Sequence, residues 1–346
     1  MGKLVEYGKE RISIEKNHFI STENMQQNCA GIIEYCDNSQ VEGIAFHKDD
    51  MLVANIRPYL KKAWFASFSG ACSTDVLVVH ATNVEPRFLH YLISNDTFFS
   101  YVMTGAKGSK MPRGDKTHII KMPTAIPSSG EQIKIASFIE ILDSRIDIQK
   151  QIIEFLKKYK RGLSSRAFDG KSCSITLGDF CIITMGQSPD STSYNTKNIG
   201  LPLVQGNADM KGRKTCPQRF TSNPTKTCDE GAIILSVRAP VGTVGIADQK
   251  ICLGRGVCSI TCEDREYVYQ YLLYHEDSWK NIEQGGTFTA ISGDDIRRFP
   301  LYFPDEPERK KISSLLTVMD KRIATSTIIL ERLTECKSAL LQQLFI

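Results

Sequence analysis

Residues 135–168 read IASFIEILDSRIDIQKQIIEFLKKYKRGLSSRAF, and residues 312–345 read ISSLLTVMDKRIATSTIILERLTECKSALLQQLF. The second stretch repeats the first, because the two align without a gap at an offset of 177 residues. The identical pairs are Glu131/Glu308, Ile135/Ile312, Ser137/Ser314, Asp143/Asp320, Arg145/Arg322, Ile146/Ile323, Ile152/Ile329, Glu154/Glu331, Leu156/Leu333, Lys160/Lys337, Leu163/Leu340 and Phe168/Phe345. Self-similarity at a fixed spacing is typical of repeated architecture, so the chain contains two copies of one unit.

Weaker similarity precedes each long stretch. DMLVANIRP at 50–58 resembles GAIILSVRA at 231–239, which places Arg57 opposite Arg238. IIKMP at 119–123 matches IRRFP at 296–300. We therefore predict a pseudo-two-fold internal repeat, in which each copy is a mixed α/β domain followed by a long helix.

Both long stretches carry a heptad pattern, with mainly apolar residues at the alternating spacings of three and four that are typical of a coiled-coil seam. In the first stretch the a positions are Ile139, Ile146, Ile153, Lys160 and Ala167, and the d positions are Leu142, Gln149, Leu156 and Leu163. In the second stretch the a positions are Leu316, Ile323, Leu330, Lys337 and Leu344, and the d positions are Met319, Ser326, Leu333 and Leu340. Two such stripes in one chain can bury each other, which favours an intramolecular coiled coil over a packed helical solenoid.

The composition is that of an ordinary globular protein. At 346 residues the chain is long enough for about two domains, and its 41% hydrophobic and 24% charged residues give no sign of disorder. No stretch approaches the ~18 apolar residues of a membrane span, and the N-terminal residues contain no apolar signal core. We expect a cytoplasmic protein without membrane contact, and a net charge of +4 permits a nucleic-acid partner.

The cysteines and histidines give no metal signature. No pair of the 11 cysteines is spaced as C-x-x-C, and the six histidines contain no H-x-x-x-H pair. Cys252, Cys258 and Cys262 lie an even number of residues apart in a β-like stretch. If one strand runs through all three, they share a face, so we predict apolar fillers rather than zinc ligands. We predict no metal and no cofactor.

The segments between the long stretches read as short strands broken by turn signals, with an aromatic-rich helix in each copy. The predicted fold is α+β: two mixed α/β domains separated by two long helices. The predicted boundaries are 1–130 for the first domain, 131–170 for its helix, 171–304 for the second domain and 305–346 for the second helix. G-x-G-x-x-G and Walker motifs are absent, as is the N/D-P-P-F/Y tetrapeptide of amino-methyltransferases, so we do not predict an enzyme.

Cationic and amide side chains gather in loops of both copies. The candidate nucleic-acid contacts of the first domain are Arg57, Tyr59, Lys61 and Lys62, with Lys107, Lys110 and Arg113 in a Gly-rich loop at 105–115. Those of the second domain are Gln187, Ser188, Tyr194, Gln205, Asn207, Lys211, Arg213, Lys214 and Arg238, with Arg219 near them in sequence. Lysine and arginine neutralise phosphates, and Arg, Asn and Gln can make bidentate contacts to base edges, although any one cation here can equally belong to a solvated face.

The ordered set of features resembles the specificity (S) subunits of type I DNA restriction-modification systems. The stretches that carry the resemblance are LGDFCIITMGQSPDSTSYNTKNIGLPLVQGN at 177–207, GAIILSVRAPVGTVGIA at 231–247, GGTFTAISGDDIRRFPLYFPDEPERKKISSLLTVMDKRI at 285–323 and IPSSGEQIKIASFIEILDSRI at 126–146. In the second copy the E-Q step of this last stretch has become Glu308-Arg309, and its L-D pair has become Met319-Asp320. The first domain lacks the LGD…G-x-S-P entry found from Leu177.

The resemblance implies a function and partners. It implies that two target recognition domains, joined by antiparallel helices, each read half of a bipartite site on double-stranded DNA. The helices are then a spacer that also docks two methyltransferase (M) subunits, with restriction (R) subunits in the full complex and no catalytic activity in the chain itself. Two alternatives stay open: the recognition subunit of a type IIB-like restriction-methylation enzyme, or a coiled-coil adaptor with no role on DNA.

Overall fold

The computed structural model describes residues 1–33, 37–281 and 290–345. The chain divides into two compact units. Unit 1 comprises Met1–Lys150 and Ile328–Ile346, and unit 2 comprises Gln151–Thr327. These units do not follow the predicted domain boundaries, because each long helix contributes one part to each unit.

Besides its parts of the long helices, unit 1 contains two four-stranded sheets and three short helices within the described residues. Its strands are β1 (Val5–Tyr7), β2 (Arg11–Glu15), β3 (Phe19–Ile20), β4 (Gln40–Phe46), β5 (Met51–Ala54), β6 (Ala63–Phe65), β7 (Gly70–Cys72) and β8 (Val76–Ala81). Its helices are α1 (Pro86–Ile93), α2 (Asp96–Thr104) and α3 (Lys116–Ile120), and 3₁₀ turns form at Lys16–His18, Gln27–Cys29 and Pro58–Leu60. The sheet orders are β1-β8-β5-β6 and β2-β4-β7-β3.

The first sheet of unit 1 is buried on both faces. Leu77 and Val79 of β8 pack with α1 and α2, whereas Val76 and Val78 lie in a second cluster with Phe46. Successive strand residues point to opposite faces, so a strand covered on both sides is apolar throughout. This burial explains why VLVV in β8 does not alternate with polar residues.

Unit 2 is built around a six-stranded and a five-stranded sheet. Its strands are β9 (Ile175–Thr176), β10 (Ile182–Met185), β11 (Tyr194–Asn195), β12 (Leu201–Val204), β13 (Met210–Lys211), β14 (Lys214–Thr215), β15 (Arg219–Thr221), β16 (Thr227–Cys228), β17 (Ile233–Ser236), β18 (Val244–Ile246), β19 (Ile251–Leu253), β20 (Val257–Thr261) and β21 (Pro300–Leu301). The sheet orders are β10-β20-β17-β18-β14-β13 and β11-β15-β12-β19-β16, and β21 pairs with β9.

The helices of unit 2 outside the long pair are α5 (Leu177–Phe180), α6 (Arg265–Tyr274) and α7 (Gly293–Arg297), with 3₁₀ turns at Ser191–Ser193, Asn207–Asp209 and Glu276–Asn281. The main core cluster joins α6, β17 and β20 to Trp279 and Phe299. The other face of β17 and β20 forms a second cluster with β12 and β19.

The strand order confirms the internal repeat. In unit 1 the order β1-β8-β5-β6 is the same as β10-β20-β17-β18 in unit 2, with antiparallel pairing at every step. The short helices and the long helix then follow in the same sequence order in both units. The first domain therefore begins with the strand equivalent to β10, although its sequence does not contain the LGD turn that forms α5.

The long helices are α4 (Ser129–Phe168, 40 residues) and α8 (Glu306–Leu344, 39 residues). In unit 1 the first part of α4 lies with the last residues of α8, since Ala136 and Ile139 share a core cluster with Leu341 and Phe345. In unit 2 the last part of α4 lies with the first part of α8, since Phe168 and Leu316 share a cluster. Both arrangements are antiparallel, as the fold prediction states.

Burial along α4 and α8 follows the predicted heptad. Every residue named for the seam in α4 and α8 is buried or half-buried, except at one a position. That exception is Leu344, which is 40% exposed. Its neighbours Leu341 and Phe345 pack on the globular part of unit 1, where the ring of Phe345 contacts Phe88 of α1. The a assignment of Leu344 is wrong because this end of α8 packs on the globular part and no longer follows the seam with α4.

The cysteine prediction also needs correction. Cys252 lies in β19 and Cys258 in β20, because the LGRG turn ends the first strand, so these residues do not share one strand face. Both are fully buried, and burial raises the pKa of the Cys258 thiol to about 12. The cysteines within the described residues are free thiols. None of the described helices is both long and apolar enough to cross a membrane.

Candidate nucleic-acid interface

The two predicted cationic segments of unit 1 lie side by side. Arg57 follows β5, and its backbone N–H donates to the Pro112 carbonyl oxygen at 2.7 Å. The Gly114 N–H donates to the Asn55 oxygen at 2.9 Å, so the Gly-rich loop is fastened to the exit of β5. Arg57 adopts a left-handed conformation (φ +51°), and its side chain is exposed. Tyr59, 49% exposed, lies in the 3₁₀ turn that follows.

Most of the predicted cations of unit 1 have partners. Lys61 pairs with Asp96 at 2.7 Å, Lys107 with Asp115 at 2.7 Å and Arg113 with Asp75 at 3.0 Å. Exposed ion pairs of this kind contribute roughly 0–1 kcal/mol, so a phosphate can replace the carboxylate at little cost. The Lys62 ammonium is held differently, since it donates to the Thr22 carbonyl oxygen at 2.6 Å in a partly buried contact. Lys62 is half-buried, whereas Arg57 and Lys110 are exposed.

The ion pair with Asp115 holds Lys107 close to the start of α3. The Asp115 carboxylate accepts the backbone N–H of Thr117 at 2.9 Å and so caps α3 while it pairs with Lys107. The Lys107 ammonium and the hydrogen bonds from Thr117 lower the pKa of the Asp115 carboxyl. The cap thus anchors the C-terminal end of the Gly-rich loop.

In unit 2 five of the nine predicted residues line a cleft of about 910 Å³: Ser188, Tyr194, Gln205, Asn207 and Arg238. The polar and charged side chains that line it include Ser188, Tyr194, Gln205, Asn207, Gln218, Arg219, Arg238 and Arg255. They come from six chain segments: the ends of β10, β12 and β17, the strands β11 and β15, and the turn between β19 and β20. Sheet pairing thus brings together residues that lie far apart in sequence.

Hydrogen bonds hold several of the polar side chains that line the cleft. Gln205 Nε2 donates to the Tyr194 hydroxyl at 3.0 Å, and that hydroxyl donates to the Pro189 carbonyl oxygen at 3.1 Å. The backbone N–H of Arg255 donates to Ser188 Oγ at 3.2 Å. These contacts fix the side chains before any ligand binds, which reduces the entropy lost on binding.

Three arginines, Arg219, Arg238 and Arg255, give the cleft its charge. All three are exposed, and no carboxylate within the described ranges forms an ion pair with them. Arg255 was not among the predicted contacts, although its position between two glycines of LGRG signals a tight turn. A Cβ on Gly256 would lie 2.1 Å from the Gln205 carbonyl oxygen, so only glycine fits next to Arg255 here.

Arg213 lies outside the cleft and is tied to the core of unit 2. Its guanidinium pairs with the Glu276 carboxylate, with Nη2 at 2.9 Å from Oε2, and it also donates to the Val244 carbonyl oxygen at 3.1 Å. These contacts bind the β13–β14 hairpin to the core of unit 2. The other predicted residues outside the cleft, Lys211, Lys214 and Gln187, are exposed.

The strand exits of the two repeats are alike. In unit 2 the Ile291 N–H donates to the Val237 carbonyl oxygen at 2.9 Å, and Arg238 forms a β-bridge with Ala290. This is the counterpart of the Arg57–Pro112 link in unit 1. The first residues of the second Gly-rich loop, 285–289, lie outside the described residues.

Within the described ranges, one trio has the chemistry of metal ligands: His47, Asp50 and His80. Asp50 is buried, and its carboxylate accepts from His80 Nδ1 at 2.6 Å and from the His47 backbone N–H at 2.6 Å. The two carboxylate oxygens therefore already have partners. The three side chains lie close together because β5 pairs with β8 and because the turn before β5 brings His47 to Asp50.

Comparison with known proteins gives a consistent picture. The sequence matches the family described as "Type I restriction modification DNA specificity domain" over residues 6–158 and again over 172–335. It is 30% identical over 288 residues to the putative type I restriction enzyme MjaX specificity subunit of Methanocaldococcus jannaschii, covering 75% of this chain and 67% of that protein.

Two solved structures share the fold. A chain from a type I restriction-modification system assembly superposes with a TM-score of 0.67 at 22% identity, over 99% of this chain and 95% of that one. The HsdS subunit of Thermoanaerobacter tengcongensis gives a TM-score of 0.55 at 23% identity over the same shares. At these identities the superpositions bear on the fold alone, and they agree with a two-copy α+β architecture containing long helices.

Proposed function

The chain belongs to the family of type I restriction-modification DNA specificity domains, and from this membership we propose that it is the subunit that gives such a system its DNA sequence specificity. Each unit reads one half of a bipartite site on double-stranded DNA. The chain has no catalytic role and needs no cofactor, and methylation is carried out by partner subunits.

The observation that carries this proposal is the repeated cationic strand exit. Arg57 and Arg238 follow equivalent central strands, and in both units a second loop is fastened beside the arginine by a backbone hydrogen bond. Arginine can pair with a guanine edge through two hydrogen bonds or bind a phosphate. A protein that reads two separate half-sites needs this arrangement twice, and a single-site binder does not.

Unit 2 supports the reading of bases most strongly. Its cleft places Gln205 and Asn207, which suit adenine, beside Arg219, Arg238 and Arg255, which suit guanine or phosphate. Hydrogen bonds already hold Gln205 and Tyr194 in place. These side chains cannot turn to suit a mismatched base pair, so their polar groups would be left without a hydrogen-bond partner. Each such mismatch costs ~1–3 kcal/mol in a specific complex.

The partner surface lies on the long helices. Besides its buried seam, α4 carries an exposed apolar stripe at Phe138, Ile141, Ile148, Ile152, Phe155 and Tyr159, whose members are 40–66% exposed. A helix with a second apolar stripe packs against two neighbours, and an exposed stripe of this kind marks an interaction site. We assign it to a methyltransferase subunit.

The repeat points to two such partners. Leu315, Val318 and Ile329 on α8 are the counterparts of Phe138, Ile141 and Ile152 on α4, and they too are exposed. One methyltransferase subunit therefore docks on each copy of the stripe, and restriction subunits join the complex through them.

The function is tested by sequencing the methylome of a host with and without this gene. The proposal predicts a bipartite adenine-methylation motif that disappears with the gene and returns with a plasmid copy. A motif that persists unchanged in the deletion strain contradicts it. A coiled-coil adaptor with no role on DNA would give that second result.

A further inference from the structure

The two long helices share a pair of half-buried ionic contacts, which occur at equivalent positions of the repeat. In unit 2 the Lys160 ammonium of α4 donates to Asp320 Oδ1 of α8 at 2.6 Å. In unit 1 the Lys337 ammonium of α8 donates to Asp143 Oδ1 of α4. The two lysines are repeat equivalents, and so are the two aspartates, so one contact has been used twice.

Each aspartate also holds the globular part of its own unit. The second carboxylate oxygen of Asp320 accepts from Gln270 Nε2 of α6 at 2.7 Å. The second oxygen of Asp143 accepts from the Tyr91 hydroxyl of α1 at 3.0 Å. Tyr91 and Gln270 occupy equivalent positions on α1 and α6, and they are only 3% and 2% exposed. The donor is a hydroxyl in one copy and an amide in the other, but in both copies it joins the short helix to the aspartate of the long helix.

A second tie recurs at the start of each long helix, at the E-Q step. In unit 1 the Gln132 oxygen accepts the Glu85 N–H at 2.8 Å, and its amide donates to the Pro127 oxygen at 3.0 Å. In unit 2 Arg309 stands in place of Gln132. Its Nε donates to Asp264 at 2.6 Å, and its Nη1 donates to the Pro304 oxygen at 2.7 Å. Pro304 is the repeat equivalent of Pro127, so the substitution preserves both ends of the tie.

These contacts define one register of the helix pair. In both lysine–aspartate pairs the two residue numbers total 480. A slip by one heptad would place Lys160 opposite Ser313 or Thr327, and Lys337 opposite Ala136 or Lys150. Neither lysine would then meet a carboxylate. A charged residue at a seam position specifies register in this way, at a cost in stability.

We infer that Asp143 and Asp320 are positioning residues for DNA specificity. Each fixes the register of the helix pair and also the orientation, on the long helices, of the globular part of its own unit, called here the reading domain. The inference rests on the proposed function. A reading domain that can rotate on its helix would accept half-sites at several separations. A domain that is held both by the aspartate and by the tie at the start of the long helix accepts one. The ties therefore set how strictly the gap between half-sites is read.

The test uses the full chain reconstituted with its methyltransferase partners on a DNA library that carries both half-sites, with the gap varied one base pair at a time. Lys160→Met cuts the helix-to-helix contact, and Gln270→Leu cuts the helix-to-domain contact, without placing a new charge in the seam. The matched control is Lys157→Met, since the ion pair of Lys157 lies within α4, with Glu154 at 2.8 Å. The readout is the ratio of methylation at the preferred gap to methylation at its neighbours.

We expect each variant to lower that ratio by about tenfold, the effect of losing one hydrogen bond to a charged group, with the base preference within each half-site unchanged. The control keeps the wild-type ratio. A merely structural role predicts a lower unfolding temperature with an unchanged ratio, and that result overturns the inference. A wild-type complex without a bipartite preference overturns the proposed function itself, and the inference with it.

A charge-swapped variant guards against variants that fail to fold. Lys160→Asp combined with Asp320→Lys restores the pair in reverse. Gln270 Oε1, which has no hydrogen-bond partner within the described part of the chain, can then accept from the new lysine. Recovery of the strict gap preference supports the inference, and a folded swap variant that methylates several gaps equally contradicts it.

Discussion

Shortening both long helices by one heptad should shorten the recognised gap between half-sites. The perturbation removes Ile146–Ile152 from α4 together with Ile323–Ile329, its repeat equivalent, from α8. Each deletion takes out two helical turns of the seam and leaves the a and d pattern intact. Both lysine–aspartate pairs lie outside the deleted segments, so the antiparallel register survives.

The magnitude follows from helix and DNA geometry. Seven residues at ~1.5 Å each remove about 10.5 Å. Each base pair occupies ~3.4 Å of the duplex axis, so the gap should shorten by up to about three base pairs, the full value applying to helices that run parallel to the DNA. Three base pairs also rotate one half-site by roughly 100° about the axis, so we expect weaker binding as well.

The assay is methylation of the gap library by complexes of the wild-type and paired-deletion chains. A preferred gap that does not change refutes the spacer role of the helices. A change in the bases preferred within a half-site would show that the deletion damaged a reading unit instead. Deleting Ile146–Ile152 alone is the control, because the two lysine–aspartate pairs cannot then form in one register, and we expect a lower unfolding temperature.

Four further outcomes follow from single sites. Replacing Arg238 and Arg255 by glutamine should weaken DNA binding and flatten the slope of log K against log salt concentration by up to about 2, as the loss of two phosphate contacts requires. Arg213→Ala should cost about 1–2 kcal/mol of unfolding free energy and leave the salt slope unchanged, because its partner is Glu276. Burial and a neighbouring lysine ammonium lower the pKa of His90 from its ordinary 6.5 to about 4. The wild type should therefore lose about 3 kcal/mol of unfolding free energy as the pH falls from about 6.5 toward 4, and His90→Gln should not show this loss. Phe155→Ser should reduce co-purification of the methyltransferase subunit without lowering the unfolding temperature, since this ring is 66% exposed.

Matched variants separate these effects from general damage. Lys250→Gln removes an exposed cation of unit 2 that pairs with Asp229, and it should leave the salt slope as in the wild type. Lys158→Ser alters an exposed side chain of α4 outside the apolar stripe and should leave partner binding intact. An equal loss in a control and its test variant would contradict the assigned role. The role of His90 would be contradicted if the wild type and His90→Gln lost the same unfolding free energy at low pH.

The features that the sequence predicts well are local or periodic. Residues such as Ile139 and Ile153 lie on a stripe that the helical period defines, so their burial follows from spacing alone. Leu344 escapes this rule because the end of α8 packs on the globular part of unit 1, and tertiary contact replaces the heptad there. The fold class also follows from order along the chain, since both copies present the same succession of strands and helices.

The candidate site could be predicted only in part, because its side chains are sorted by pairing across long sequence separations. Arg213 and Arg219 read alike in sequence, yet one is bound to a carboxylate 63 residues away and the other opens into the cleft. Arg255 reaches that cleft because β12 and β19 pair in parallel, which no local pattern announces. The change from Gln132 to Arg309 looks like a lost motif in sequence, and the structure shows it to be the same tie made with a longer side chain.

A methylation-site map, made on random-sequence DNA with the purified complex of this chain and its methyltransferase partner, shows directly whether the chain specifies a bipartite site. We expect one motif with two defined half-sites separated by a gap of fixed length and free sequence. A single contiguous motif, or methylation without sequence preference, would contradict this expectation.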